Sequence, residues 1–316
     1  MKKYGIIALL LIFLLTAFAC NSKDTKTEKT SEILEENTQE SVQEESYYQG
    51  RYELLNLPYG TGKYNTYDMY LPLNIDLEKE YNVVLLLHGG SWQYGKKEDM
   101  EFICRKLRQD DLIAITMNYT LLTKEDMTSN VNTMLDEITD CITNIDEYLT
   151  AHKIKTKNIA IGGYSAGAHL ASLYCFSKPD ESAIPIKFLI DAAGPVDFND
   201  GMWEHTSLQS SGELDFAIYH LAATDVKNVP EEQKQKAIDK ISPVYFINKQ
   251  SVPVILAYGE NDTVIGSQQL PSIMEKLDEN NIEYEYINFG NYGHEIFKNE
   301  EQTKILYEKI NEFFAK

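Results

Sequence analysis

The chain has 316 residues, 43% of them apolar, with 29 basic and 49 acidic side chains and a formal charge of −20. That is enough apolar chain for one large α/β domain with an extension. Such a charge makes the chain a poor candidate for binding nucleic acid, which wants a basic face, and repels it from bare anionic membranes.

Lys2 and Lys3 precede an apolar run at residues 5–18 that closes on Ala19-Cys20. A basic start, a short apolar core and a small residue before the cut predict a secretory signal over residues 1–19. The run falls short of the ~20 residues that a spanning helix needs. Ala19-Cys20 resembles the lipobox of bacterial lipoproteins, although Ala17 and Phe18 depart from its usual residues. The resemblance implies a diacylated Cys20, a membrane anchor through that lipid and an extracytoplasmic location, with a secreted protein as the alternative. Residues 21–46 carry eight acidic and three basic side chains and almost no large apolar ones. Such a stretch cannot bury enough surface to fold, so residues 20–46 are expected to form a disordered tether.

From residue 47 the composition changes, and 47–316 is expected to be the folded domain. Residues 51–57 and 64–71 alternate and are rich in Tyr. They predict two antiparallel strands around a Gly60-Thr61-Gly62 turn. Residues 81–87 are continuously apolar, the mark of a strand buried on both faces. That strand runs into His88-Gly89-Gly90-Ser91-Trp92. A helix over 98–109, a buried strand at 112–117 and an amphipathic helix over 129–150 follow. A further strand leads into Gly163-Tyr164-Ser165-Ala166-Gly167, then a helix over 168–176 and a strand at 187–192. Residues 196–241 break the alternation and predict an inserted helical lid. Strand 252–258, helix 267–280, strand 283–289 and helix 300–314 complete the chain. This order predicts an α/β fold: a mostly parallel, eight-stranded sheet with helices on both faces.

Gly163-Tyr164-Ser165-Ala166-Gly167 matches the G-x-S-x-G nucleophile elbow. The serine must project from a sharp strand-to-helix turn, and the glycines leave room where strand and helix pass. A serine hydroxyl needs a base, and the base needs a third group to orient it. The chain supplies them in the order Ser165, Asp262, His294, the last two just past predicted strand ends. Glu260 is the rival acid; Asp191 and Asp197 are weaker ones. His88-Gly89-Gly90-Ser91 fits an oxyanion loop, with Gly90 and Ser91 as N–H donors beside Ala166. Trp92 reads first as a packing residue and second as a wall of the acyl pocket. His169 reads as a buried structural residue, His88 as a brace for its own turn and His152 as a surface residue. His205 and His220 fall in the lid. Among the cysteines, Cys104, Cys141 and Cys175 lie in apolar helical patterns and read as buried thiols, with one disulfide left open. No Cys/His spacing marks a metal site.

Together with Asp68-Met69-Tyr70-Leu71-Pro72 and Asn118-Tyr119-Thr120-Leu121, these motifs resemble the α/β-hydrolase fold over residues 47–316. More narrowly they are similar to carboxylesterases of the hormone-sensitive-lipase and feruloyl-esterase-like groups. Arylformamidases share the layout. The resemblance implies ester or amide acyl hydrolysis without a cofactor and does not name the substrate. The small lid, Trp92 after the oxyanion loop and the expected tether point to a short acyl group on a small-molecule or carbohydrate-linked ester. An amide hydrolase of arylformamidase or peptidase type is the second reading. A non-catalytic hydrolase fold used for binding is the third.

Overall fold

The computed structural model describes residues 53–108, 112–124, 126 and 128–316. The expected signal segment, Cys20, the tether and the start of the first strand at Arg51 lie outside the described residues.

Eight strands form one sheet: β1 (Glu53–Pro58), β2 (Thr66–Tyr70), β3 (Glu80–Leu87), β4 (Ile113–Met117), β5 (Lys155–Tyr164), β6 (Ile186–Ala192), β7 (Val254–Tyr258) and β8 (Tyr284–Asn288). Their order is β1-β2-β4-β3-β5-β6-β7-β8. The pairs β1/β2 and β2/β4 are antiparallel; all other neighbours are parallel, as the alternation of elements predicts.

Successive side chains of a strand point to opposite faces, and β3 feeds two separate cores in this way. Val83, Leu85 and Leu87 join one cluster with Ile138, Ile142 and Ile145. Val84 and Leu86 join the other with Ile103, Leu107, Leu306 and Ile310. The first face is therefore covered by α2 (Val131–Ala151), α3 (Ala166–Ser177) and α7 (Gln269–Asn280), and the second by α1 (Glu101–Leu107) and α8 (Glu300–Ala315). Helix α2 begins two residues later than its apolar pattern predicts, because Asn130 caps it by accepting from Asn132 N. Cys104 sits in one core and Cys141 and Cys175 in the other, all three buried and free, so no disulfide joins them.

The expected helix at 98–109 is shorter and split. A 3-10 turn over Lys97–Met100 precedes α1, which ends at Leu107. The turn buries Lys97, whose side chain is only 1% exposed and whose Nζ lies 2.9 Å from Asp68, 2.9 Å from Asn56 and 2.8 Å from Glu98. Burial works against the ammonium charge, but the Glu98 and Asp68 carboxylates outweigh it and raise the Lys97 pKa. Asn56 reaches this site from a bulge in β1, where its φ is +59°.

Between β6 and β7 the chain forms two 3-10 turns, Asp200–Trp203 and Pro243–Tyr245, and three helices, α4 (Ser207–Ser211), α5 (Glu213–Leu221) and α6 (Glu231–Ile241). Trp203, Leu208, Leu214 and Leu221 turn inward there.

After β3 the chain steps outward to β4 and then returns to β5 on the other side of β3. Open parallel sheets form a crevice at such a reversal, beyond the carboxyl ends of the strands. The His88-Gly89-Gly90 loop leaves β3 and Ser165 leaves β5, so both open onto that crevice.

Candidate active site

Ser165 sits between β5 and α3 with φ +55° and ψ −120°. A non-glycine residue in that region costs about 1–3 kcal/mol and survives only where its surroundings enforce it. Two glycines allow the enforcement. A Cβ on Gly163 would come 2.4 Å from the Gly167 carbonyl carbon, and one on Gly167 would come 2.2 Å from the oxygen of Leu87. The strand, the helix and β3 therefore pass at backbone contact, and the turn has one path.

His294 comes from the loop after β8. Its Nε2 lies 2.8 Å from Ser165 Oγ and its Nδ1 lies 2.7 Å from Asp262 Oδ2. A carboxylate only accepts hydrogen bonds. Nδ1 therefore carries the hydrogen, and Nε2 is left to accept from the serine hydroxyl. Asp262 is 6% exposed, and its other oxygen accepts from the N–H groups of Val264 at 2.9 Å and Ile265 at 3.2 Å.

The acid and base loops are stitched together by Glu260 N to Gly290 O at 2.8 Å and Asn261 N to Tyr292 O at 3.1 Å. Glu260 is not the acid beside the base: its carboxylate turns outward and accepts from Asn288 Nδ2 at 2.8 Å. Asp197 accepts from its neighbour Asn199. Asp191 is fully buried behind the elbow, bound by Ser172, Gly194 N and Tyr258.

Gly90 has φ +118°, and a Cβ there would meet Tyr94 O at 2.2 Å, so the loop needs glycine. Among the described residues, the N–H groups of Gly90, Ser91 and Ala166 donate no hydrogen bond, which leaves them available to an oxyanion. His88 braces the loop: its ring donates to Gly89 O at 2.8 Å and stacks on Tyr119 at 4.3 Å. Burial lowers the His88 pKa and keeps the ring neutral.

Trp92 does not line an acyl pocket. It is 1% exposed, packed on His169 and Phe198. His152 is half-buried rather than a plain surface residue, stacked on Tyr148 at 4.2 Å at the end of α2. His220 is buried within α5, where its ring bonds Phe216 O, and His205 stands at φ +65° just before α4. Two contributions have no signal in the sequence. Tyr164 donates its hydroxyl to His294 O at 3.0 Å, and Ser207 N bonds Thr263 O at 2.8 Å, joining the insertion to the acid loop.

A cavity of about 560 Å³ opens beside the loop, lined by Gly89, Gly90, Gly95, Met100, Phe102, Tyr164 and Phe297 together with the charged Asp99, Glu295 and Lys298. No residue of the insertion lines it. Among the described residues, no group of three or more His, Cys, Asp or Glu side chains is placed to hold a metal ion.

A doubly covered parallel sheet with a Ser-His-Asp array on its strand-end loops defines an α/β-hydrolase fold. The chain belongs to the BD-FAE family, whose model matches residues 67–277. The kynurenine formamidase of Salmo salar is 28% identical over 120 residues, 38% of this chain and 37% of the relative. The probable carboxylic ester hydrolase LipM of Mycobacterium tuberculosis is 25% identical over 231 residues, 70% of this chain and 51% of LipM. The chain thus spans about half or less of the length of these curated relatives. The crystal structure of Esterase B from Lactobacillus rhamnosis superposes with a TM-score of 0.69 at 16% identity, covering 91% of this chain and 95% of that one.

Proposed function

We propose that the protein is a serine carboxylesterase acting on esters of short acyl groups. One observation carries the reading: a strained Ser165 whose Oγ lies 2.8 Å from His294 Nε2, with Asp262 2.7 Å behind the ring. Ser165 Oγ attacks the ester carbonyl and His294 Nε2 takes its proton. The oxyanion faces the N–H groups of Gly90, Ser91 and Ala166. The bond to the alkoxy oxygen breaks, and the proton on Nε2 goes to the leaving alcohol. Water then adds to the acyl-enzyme, giving its proton to Nε2. The second tetrahedral intermediate releases the acid as Ser165 recovers its proton. Asp262 holds the Nδ1–H tautomer and stabilises the imidazolium throughout. The cycle calls for no cofactor.

The substrate reading is an acetyl-sized acyl group on a bulkier, ring-bearing alcohol, either a sugar or an aryl group. Apolar side chains of the insertion, among them Trp203, Leu208 and Leu214, are spent on the core, which leaves little surface for a long chain. The cavity beside Gly90 and Tyr164 is lined by Met100, Phe102 and Phe297, a suitable seat for the alcohol. The signal-like start and Cys20 support an extracytoplasmic, lipid-anchored enzyme, which meets polymer-linked esters outside the cell.

Kinetics of Ser165→Ala and His294→Ala on p-nitrophenyl esters test the reading. Each is expected to lower kcat by about 10⁴–10⁶, and the double variant no further, because the members act as a unit. Full turnover by Ser165→Ala ends the proposal. A steady rise in kcat/KM from acetyl to decanoyl esters would refute the short-acyl part. The stretch shared with kynurenine formamidase supports the second reading, and formanilides cleaved faster than any ester would transfer the assignment to it.

A further inference from the structure

We infer that Trp92 and His169 form a clamp that holds the oxyanion loop over the nucleophile, making both of them positioning residues. The inference rests on the esterase reading and adds residues outside the Ser-His-Asp array. The loop needs holding. Ser91 and Trp92 stand consecutively at φ +50° and +60°. Each such residue costs about 1–3 kcal/mol unless its surroundings over-determine it.

Trp92 is fastened at two points. Its carbonyl accepts from Leu122 N at 2.8 Å, and its indole Nε1–H donates to His169 Nδ1 at 3.0 Å. His169 Nε2 lies 2.7 Å from the carbonyl oxygen of Ile241. An indole only donates and a carbonyl only accepts, so the ring is neutral, with its hydrogen on Nε2. Burial agrees, lowering the His169 pKa to about 4. The ring stands one turn into α3, where the main-chain bond of His169 N to Ser165 O, at 3.0 Å, fixes the position of residue 169 relative to the nucleophile.

Thus Ser165 and the residue after Ser91 are joined through one ring and two hydrogen bonds. Ile241 ends α6, so the same ring also ties down the end of the insertion. Both ring nitrogens are thus partnered, and the partners are the loop after β3 on one side and the end of the insertion on the other. Polar groups buried at this depth are costly unless each is satisfied.

Two replacements separate the ring's two bonds. His169→Asn sets an amide oxygen near the Nδ1 position and keeps an acceptor for Trp92. His169→Gln sets an amide N–H near the Nε2 position and keeps the bond to Ile241 while losing the indole. Trp92→Phe removes the donor and keeps a ring. Loss of one oxyanion donor lowers kcat by about 10²–10³. A loosened loop is expected to lower it by about tenfold to a hundredfold in Trp92→Phe and His169→Gln, with KM within about twofold. Binding of a trifluoromethyl ketone, which forms the same oxyanion, should weaken by the same factor. His169→Asn should restore most of kcat. Trp92→Phe with kcat within twofold of the parent, or His169→Asn falling as far as His169→Gln, overturns the clamp. So does a lowered melting temperature without the split between kcat and KM. Ser165→Ala run alongside reports on the esterase reading alone.

Discussion

The hydroxyl of Tyr164 lies 3.0 Å from the carbonyl oxygen of His294, so the residue just before Ser165 holds the backbone of the His294 loop. Their rings also tilt against each other at 5.1 Å. Burial raises the Tyr164 pKa, which keeps the phenol protonated and able to donate. Tyr164→Phe removes this bond and leaves the ring. With a net worth of about 1 kcal/mol for such a bond, kcat is expected to fall about fivefold. An unchanged kcat on p-nitrophenyl acetate would show that the His294 loop is held by its stitches to the acid loop alone.

Asp191 makes a pH prediction. Burial raises its pKa from 3.8 to about 6, against the opposing bonds from Gly194, Tyr258 and Ser172. Between those two pH values the folded protein holds a proton that the unfolded chain has lost. Stability therefore falls as pH rises through that window, by about 3 kcal/mol in total at most. Asp191→Asn has no such proton. The urea stability of the parent relative to Asp191→Asn should decline from pH 4 to pH 6 and then level off. A difference that is flat across the window would contradict this.

The buried ion pair of Lys97 and Asp68, at 2.9 Å, makes a stability prediction. Lys97→Met leaves the Asp68 carboxylate without its partner, which costs about 3–5 kcal/mol for a buried charge. Adding Asp68→Asn removes that charge and should recover part of the loss. Urea unfolding of the two single variants and the double variant measures the coupling, and strictly additive losses would argue against it.

Cys20 is expected to carry lipid if the N-terminal resemblance holds. Cys20→Ser should then release the protein from the membrane fraction or leave an unprocessed precursor. Intact mass of the parent protein is the check: cleavage at another residue with no acyl mass contradicts the anchor.

The nucleophile elbow was legible in the sequence because its residues are neighbours in the chain. Gly163-Tyr164-Ser165-Ala166-Gly167 is contiguous, and its glycines answer to contacts that any strand-to-helix elbow makes. The apolar runs of β3, β4, β5 and β7 and the period of α2 state their burial directly, and so the order of strands and helices could be read along the chain. Only the tertiary structure chose between Asp262 and Glu260, two residues apart on one loop. One carboxylate turns in to His294 and the other out to Asn288. It also decided that Trp92 meets His169, 77 positions away, instead of facing substrate. The pairing of Lys97 with Asp68 and of Tyr164 with His294 arose in the same way. Hydrophobic periodicity reports which face of an element is buried but not which distant element covers it. That choice belongs to strand order and register, which exist only once the sheet has formed.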